Sequence, residues 1–282
     1  MPIPEAEIRD RSFEWGKRTF LMGVVNVTPD SFSDGGEFAT PREALAQAQK
    51  LVAAGADIVD IGGQSTRPGA VQISVEEELE RVLSVIEVLR KEITIPISVD
   101  TTRAAVAKAA VTAGADIVND ISGGTFDPDM LTTVAKLNIP IALMHLRGTP
   151  QTMQQMIDYQ NLLLEIYQFL ERQIESAIAC GIDSSKIIID PGIGFAKNQQ
   201  QNLEILRNVS FFKALNCPIL VGASRKSFIG RILDQPDPKE RLWGTAAACC
   251  AAISTGVDIL RVHDVAQMRD VCRVADAIFR QV

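Results

Sequence analysis

The stretch Ala53–Ile61 reads AAGADIVDI, and its grammar decides the fold. Alanines fit to end a helix meet a glycine, and an aspartate then opens a short β-branched run. The same grammar returns in TAGADIVNDI (112–121) and STGVDILRV (254–262). Glycine supplies the left-handed residue that stops a helix, and Ile and Val favour the strand that follows. The spacing of the copies is irregular, so they mark helix-to-strand joints and not the units of a solenoid.

Working outward, these joints open strands near 57–61, 116–120 and 258–262. Further strands are predicted near 20–25, 96–100, 139–143, 187–191 and 218–222. Their runs, such as FLMGVV, IIIDP and PILVG, are continuously apolar, as in strands covered on both faces. Helical patterns fill the gaps. Ser74 with Glu77 reads as a capping box, followed by the stripe Val75, Leu79, Val82, Ile86 and Leu89. Asp158 is expected to cap another helix, striped by Leu163, Ile166, Tyr167, Leu170, Ile174 and Ile178 and stopped at Gly181. Shorter helical patterns follow Pro41, Thr102, Asp127, Gln200, Pro238 and Asp264.

Eight strands, each followed by a helix through a right-handed crossover, close into a (β/α)₈ TIM barrel, an α/β fold. The alternative, an open doubly wound sheet, usually carries G-x-G-x-x-G after its first strand. Here that turn reads NVTPDSFSDGG (26–36). Residues 12–20 (SFEWGKRTF), with Gly16 available for a turn, are expected to form a short N-terminal hairpin closing the barrel floor. The whole chain, 1–282, is expected to be a single domain.

A net charge of −7 and a pI near 5.0 leave no basic surface for a phosphate backbone, so nucleic acid is excluded as a partner. The five cysteines form no C-x-x-C pair and read as reduced, buried side chains of a cytoplasmic protein. Met1–Arg11 is polar, with no apolar signal segment. The uncharged run Leu242–Val257 is too short to span a bilayer, so no membrane partner is expected. Rich in small residues, it reads as a buried helix approaching a sheet or a second subunit closely.

The informative polar residues fall at strand ends: Asn26, Asp60, Asp100, Asn119, Asp120, Asp190, Arg225, Lys226, Arg261 and His263. Any one aspartate there could simply cap the next helix. Together they would crowd one barrel mouth with desolvated charge, which costs stability unless a ligand uses it. A carboxylate accepts two adjacent N–H bonds, which suits an amino-pyrimidinone edge, and asparagine both donates and accepts. Arg and Lys beside hydroxyls suit a diphosphate. Two glycine-bearing rim segments, TPDSFSDGG (28–36) and GGQSTRPGA (62–70), read as lids over an anion. His145 has no second His or Cys at metal-ligand spacing and is expected to be structural, hydrogen-bonded in its loop.

At these motifs the chain resembles the dihydropteroate synthase family. The matching segments are MGVVNVTPDSFSDGG (22–36), DIGGQSTRPGA (60–70), SVDTTR (98–103), GADIVNDISGG (114–124), LMHLRGTP (143–150), DPGIGFAKN (190–198), GASRKSFIG (222–230) and RVHD (261–264). One departure is Gln64, where the family commonly has Glu. The resemblance implies condensation of (7,8-dihydropterin-6-yl)methyl diphosphate with 4-aminobenzoate, in folate synthesis. It implies that Asp100, Asn119, Asp190 and Lys226 hold the pterin, with Met144 and Phe195 as apolar neighbours. Thr66, Arg261, Val262 and His263 would meet the diphosphate end. Asn26 would be the Mg²⁺ ligand. Phe32, Asp34, Arg67, Pro68 and Ser227 would belong to the lids and the aminobenzoate pocket. Asp100, Lys226, Arg261 and His263 would carry the chemistry, and a homodimer is implied. An inactive pterin-binding paralogue and a pterin-dependent methyltransferase barrel are the alternatives. The methyltransferase has no diphosphate to hold and no need of SRKS or RVH.

Overall fold

The computed structural model describes residues 3–27, 40–67 and 69–280. An antiparallel hairpin, β1 (Ala6–Ile8) and β2 (Arg11–Phe13), opens the chain. The parallel strands follow: β3 (Phe20–Asn26), β4 (Ile58–Gly62), β5 (Ile97–Asp100), β6 (Ile117–Asp120), β7 (Ile141–Met144), β8 (Ile187–Asp190), β9 (Leu220–Val221) and β10 (Ile259–Val262). Their order is β8-β7-β6-β5-β4-β3-β10-β9. The two ends of that sheet meet through a parallel bridge, Ile189 to Ile219, and a 2.9 Å bond from the Ile189 N–H to the Pro218 carbonyl. The result is the expected (β/α)₈ barrel.

Helices α1 (Pro41–Ala54), α2 (Val75–Glu92), α3 (Ala104–Ala113), α4 (Met130–Leu137), α5 (Leu162–Ala179), α6 (Gln199–Arg207), α7 (Ser227–Leu233), α8 (Leu242–Ser254) and α9 (Val265–Phe279) surround it. Strand residues alternate between two cores. Val59, Ile61, Val99, Leu143 and Val262 pack outward with the helices. Phe20, Met22, Ile58, Ile117, Ala142, Ile188, Leu220 and Ile259 pack inward at the lower end, against Ile8 and Phe13 of the hairpin.

The repeated glycine–aspartate joint has a physical reason. Gly55, Gly114 and Gly256 are all left-handed, with φ of 99°, 119° and 91°. Two residues on, each aspartate accepts an N–H at or beside the start of a neighbouring strand. Asp57 takes Leu21 (2.8 Å), Asp116 takes Ile97 (2.9 Å) and Asp258 takes Ile219 (2.9 Å). The same carboxylates anchor the N-terminal segment. Arg9 pairs with Asp116 at 2.9 Å, Arg18 with Asp57 at 2.7 Å, and the Gly16 N–H donates to Asp258 at 3.0 Å.

Several local expectations move. The hairpin covers the floor but lies earlier than residues 12–20. Its turn is at Arg9, left-handed at φ 48°, because pairing Ala6 with Phe13 points Ile8 and Phe13 together into the barrel. Gly16 turns the chain after the hairpin. Ser74 caps α2 by accepting the Glu77 N–H at 3.1 Å, but the Glu77 carboxylate turns to Arg81 and no box closes. Asn161, not Asp158, caps α5, and Asp158 points to solvent beside Arg147. Ile178 is exposed, off the α5 stripe. Cys217, Cys249 and Cys272 are buried as expected, whereas Cys180 is exposed at the end of α5. The small-residue run forms α8, which buries Cys249 and Ala252 and leaves Trp243 exposed.

Candidate active site

Two residues above the apolar floor, the inward positions of the strands become polar. Asp60 on β4 replaces Ile58, Asn119 on β6 replaces Ile117, Asp190 on β8 replaces Ile188, and Arg261 on β10 replaces Ile259. Met144 stands above Ala142 on β7. The alternation of a strand puts residues i and i+2 on one face, so a single polar ring follows from single letters in otherwise apolar runs.

One half of the mouth centres on Arg261. Its Nε donates to Asp60 Oδ2 at 2.6 Å and its Nη2 to Asp100 Oδ2 at 2.8 Å. Asn119 reaches the same Asp60 oxygen at 3.4 Å. Burial opposes the Arg261 charge, but the two carboxylates hold it on. Burial also pushes the Asp100 carboxyl up, while Arg261 pulls it back down. Asp60 Oδ1 and Ser98 Oγ lie buried with no hydrogen-bond partner among the described residues, on residues paired across β4 and β5. Orphaned acceptors of this kind are rare in finished cores and point to an occupant of the barrel.

The other half centres on Asp190. One oxygen accepts the Gly192 N–H at 2.7 Å. Burial raises this carboxyl to about 6, against the lowering pull of that N–H and of Lys226, Lys197 and Arg261. Lys226, at the N-cap of α7, lies over the Phe195 ring with Nζ 4.1 Å from its centre. Burial, with Arg261 beside it, lowers this ammonium to about 8, while Asp190 and Asp100 hold it up. Phe195 joins Ile121, Met144, Leu146 and Met153 in an apolar wall. The mouth thus offers hydrogen-bonding carboxylates, a cation over a ring, and a flat apolar side, which suits a planar polar heterocycle.

At the rim, His263 follows β10. Burial lowers its imidazole to about 3, helped by Arg225 and Arg261, so the ring is neutral at neutral pH. Ser224 Oγ stands 3.0 Å from His263 Nδ1 and accepts the His263 N–H at 3.2 Å. In the tautomer in which the hydroxyl donates to Nδ1, the ring proton sits on Nε2 and leaves a donor at the rim. Asn26 Oδ1 and Asp100 Oδ2 flank the bare face of Gly62, where a Cβ would lie 3.6 and 3.8 Å from them. Thr66 lines a cavity of about 430 Å³ that also reaches Gln64, Asp100, Ile121 and Gln151. Arg67 and Ser227 are exposed at the rim.

Not every expected residue faces the mouth. Val262 packs outward into the helix–sheet core. Asp120 turns away to hold its own loop, accepting from the Ser122 N–H (2.7 Å) and hydroxyl and from the Gly124 N–H (2.9 Å). Arg225 is left-handed at φ 59° and grips Asp264 through Nε at 3.0 Å and Nη2 at 2.5 Å. Asp264 is thereby turned toward Arg225, and α9 has no side-chain cap bond. His145 is buried, and its Nδ1 meets Lys197 Nζ at 3.0 Å, a partner on the loop after β8 and not in its own loop. Phe32, Asp34 and Pro68 lie outside the described residues, as does the whole of the first lid, 28–36.

Two residues without an assigned role in the sequence are buried at the barrel's upper end: Asp60, which accepts from Arg261, and Lys197, within the loop that follows β8. An aspartate one inward step below the end of an apolar strand was the readable signal for the first. Gln64 also gains a role. It donates to the Ser65 and Val71 carbonyls at 2.9 and 3.0 Å and accepts the Ile73 N–H at 2.8 Å, so it ties the second lid to itself.

Comparison with known proteins agrees with this geometry. The model of the pterin binding enzyme family matches residues 22–263. A dihydropteroate synthase of Synechocystis sp. is 57% identical over 277 residues, 98% of this chain and 96% of that protein. The crystal structure of Yersinia pestis dihydropteroate synthase with a sulfonamide drug complex is 40% identical and superimposes with a TM-score of 0.92, covering 98% of this chain and 99% of that one. Xanthomonas albilineans dihydropteroate synthase with 4-aminobenzoic acid is 41% identical, with a TM-score of 0.91 and 98% of each chain covered. Inward-facing Asp60, Asp100, Asn119, Asp190, Lys226 and Arg261 all fall within the matched span, and the chain belongs to the pterin-binding enzyme family, among its dihydropteroate synthases.

Proposed function

We infer that the barrel mouth joins (7,8-dihydropterin-6-yl)methyl diphosphate to 4-aminobenzoate, giving 7,8-dihydropteroate and diphosphate. The observation that carries this reading is the pairing of two buried carboxylates, Asp100 and Asp190, with two cations, Arg261 and Lys226, around one apolar wall. Asp190 accepts from the pyrimidinone N–H edge, Asn119 supplies a donor and an acceptor, and Met144 and Phe195 cover the ring. The amine lone pair forms the new C–N bond as the C–O bond to diphosphate breaks, and the amine proton passes to solvent. An arylamine is an adequate nucleophile, so stabilising the departing charge is the harder task. Arg261, the His263 Nε2–H and Thr66 would meet the diphosphate, and Asp100 would face the positive charge left on the pterin. The transition state is dissociative. Arg67, Pro68, Phe32, Asp34 and Ser227 would enclose the aminobenzoate and exclude water from the cation.

Mg²⁺ fits this mouth through Asn26. Among the described residues no group of three or more His, Cys, Asp or Glu could hold a metal. A magnesium ion readily shares its shell between one or two protein oxygens, substrate phosphates and water, so one asparagine beside the diphosphate suffices. Bound there, the ion supplies charge neutralisation on the leaving group.

The assembly we propose is a homodimer of single-domain 1–282 chains. Trp243 on α8 and Val274 and Ile278 on α9 are 78%, 62% and 66% exposed, on helices packed against each other. A second copy would cover them. The setting we propose is cytoplasmic. Reduced cysteines accord with it, and among the described residues no helix is long and apolar enough to cross a membrane. The deciding experiment mixes the protein with pterin diphosphate, 4-aminobenzoate and Mg²⁺ and follows diphosphate and dihydropteroate. Diphosphate release that ignores 4-aminobenzoate, or no release, would sink the reading.

A further inference from the structure

Lys197 is 3% exposed, and none of the ion pairs among the described residues includes it. Its Nζ donates to the Phe195 carbonyl at 2.8 Å and stands 3.0 Å from His145 Nδ1. A desolvated ammonium held by a carbonyl and an imidazole costs stability, and a role in the site explains its retention.

The loop above it is unusual. Gly192, Gly194 and Ala196 are left-handed, with φ of 75°, 83° and 50°. A Cβ at 192 would overlap the His145 carbonyl, and one at 194 would press on the Lys226 side chain. Ala196 carries a Cβ in a conformation that disfavours one, and such a residue persists only where its surroundings over-determine it. The pins are visible. Asp190 takes the Gly192 N–H, Asn202 takes the Gly194 N–H at 2.6 Å, Tyr159 donates to the Ala196 carbonyl at 3.0 Å, and Lys197 donates to that of Phe195. Between these pins the Phe195 ring lies under Lys226.

We propose that Lys197 is a positioning residue of the pterin pocket: by holding the Phe195 carbonyl against His145 it fixes the Phe195 ring beneath Lys226 and sets a cation behind the Asp190 carboxylate. The proposal rests on the pterin reading of the mouth. Asp190 is faced by Lys226 from the β9 loop, Arg261 from β10 and Lys197 from its own loop, where Lys197 Nζ lies 3.2 Å from the place a Cβ on Gly192 would take and the Gly192 N–H donates to Asp190. Lys197 is faced in turn by Asp190, Lys226, Arg147 and a His145 that burial keeps neutral. Burial lowers Lys197 to about 7, so it is charged at the pH where Asp190 titrates. Removing that charge lets Asp190 take up a proton at higher pH. Removing the donor frees the Phe195 carbonyl. The two effects are separable.

The test is calorimetric titration with 6-hydroxymethylpterin from pH 5 to 8 on wild type, Lys197→Met and Lys197→Gln. The wild type serves as control, and its failure to bind pterin strikes the functional reading itself. Lys197→Met is expected to weaken binding about tenfold or more at pH 7, the loss of one hydrogen bond from a charged donor, and to move the acid limb toward neutrality. Lys197→Gln, with a donor but no charge, should recover much of the affinity at pH 8 while keeping the displaced limb. A Lys197→Met protein with wild-type affinity and an unmoved limb overturns the proposal. If neither variant folds, ¹³Cε-lysine spectra of the wild type carry the test. The Lys197 resonance must titrate differently with pterin bound, and an unchanged titration overturns the assignment.

Discussion

Ile58, Ile117, Ala142, Ile188 and Ile259 point into the lower barrel; two residues further along the same strands stand Asp60, Asn119, Met144, Asp190 and Arg261. The two rings are about 7 Å apart, one inward step of a strand. The lower ring meets Ile8 and Phe13 and excludes water. The upper ring and the loop above it hold charges that burial pushes toward neutrality, Asp190 up to about 6 and Lys226 down to about 8. The contrast teaches that stability and chemistry are separated here by register alone, so each end should answer a different substitution.

The largest effect is expected below. Phe13 is 1% exposed against Phe20 and the barrel floor. Phe13→Ala should cost about 3–5 kcal/mol in urea unfolding and leave the pterin dissociation constant of the folded protein unchanged. A parallel loss of affinity would mean that the two ends are not independent.

Above, the sign should reverse. The folded-state value of Asp190 is raised from 3.8 to about 6, so its charge is a burden that builds as pH rises from 3.8 to about 6 and is fully present above that. Asp190→Asn keeps the acceptor for the Gly192 N–H and should stabilise the ligand-free protein at pH 8 by about 1–3 kcal/mol. The same variant should lose pterin affinity about ten- to a hundredfold, because a carboxamide cannot accept both N–H bonds. Thermal denaturation and calorimetry together check this. A destabilised Asp190→Asn would refute the burden, and intact affinity would refute the contact.

A milder perturbation is pH itself. Pterin affinity of the wild type should fall as pH drops through about 6, approaching tenfold per unit below it, as Asp190 takes a proton. A flat titration from pH 5 to 8 would break the link between this carboxylate and the ligand.

The smallest effect belongs to Gln64. Gln64→Glu removes the donor to the Ser65 and Val71 carbonyls, at a cost of about 1 kcal/mol confined to the loop. Amide exchange over residues 65–73 should quicken while turnover stays within about threefold. Slow exchange as in the wild type would show that the amide is not what ties the loop.

The alternation that separates the rings is also what made them legible. Ile58 and Asp60, or Ile188 and Asp190, read directly as floor and mouth once the strands are placed, and the glycine–aspartate joints place the strands. What stayed hidden depends on partners distant in the chain. Asp120 and Asp190 both end strands, yet one turns to Ser122 and the other faces Lys226. Arg225 looked like an anion ligand until Asp264, brought alongside by β10, claimed its guanidinium. The hairpin shifted because the fit of Ile8 and Phe13 to the barrel floor outweighed the turn preference of Gly16. Lys197 carries no local signal of burial; only the packed β8 loop supplies it.

The bridge between Ile189 and Ile219 has a mechanical side. β9 contributes two residues, so the barrel behaves as a hoop with one slender joint. Asp190 and Lys226 stand just above that joint, on opposite flanks of it. A ligand gripped by both acts as a rivet across the gap. Strain on the empty protein then concentrates where β8 meets β9, and the occupied protein must tear somewhere else.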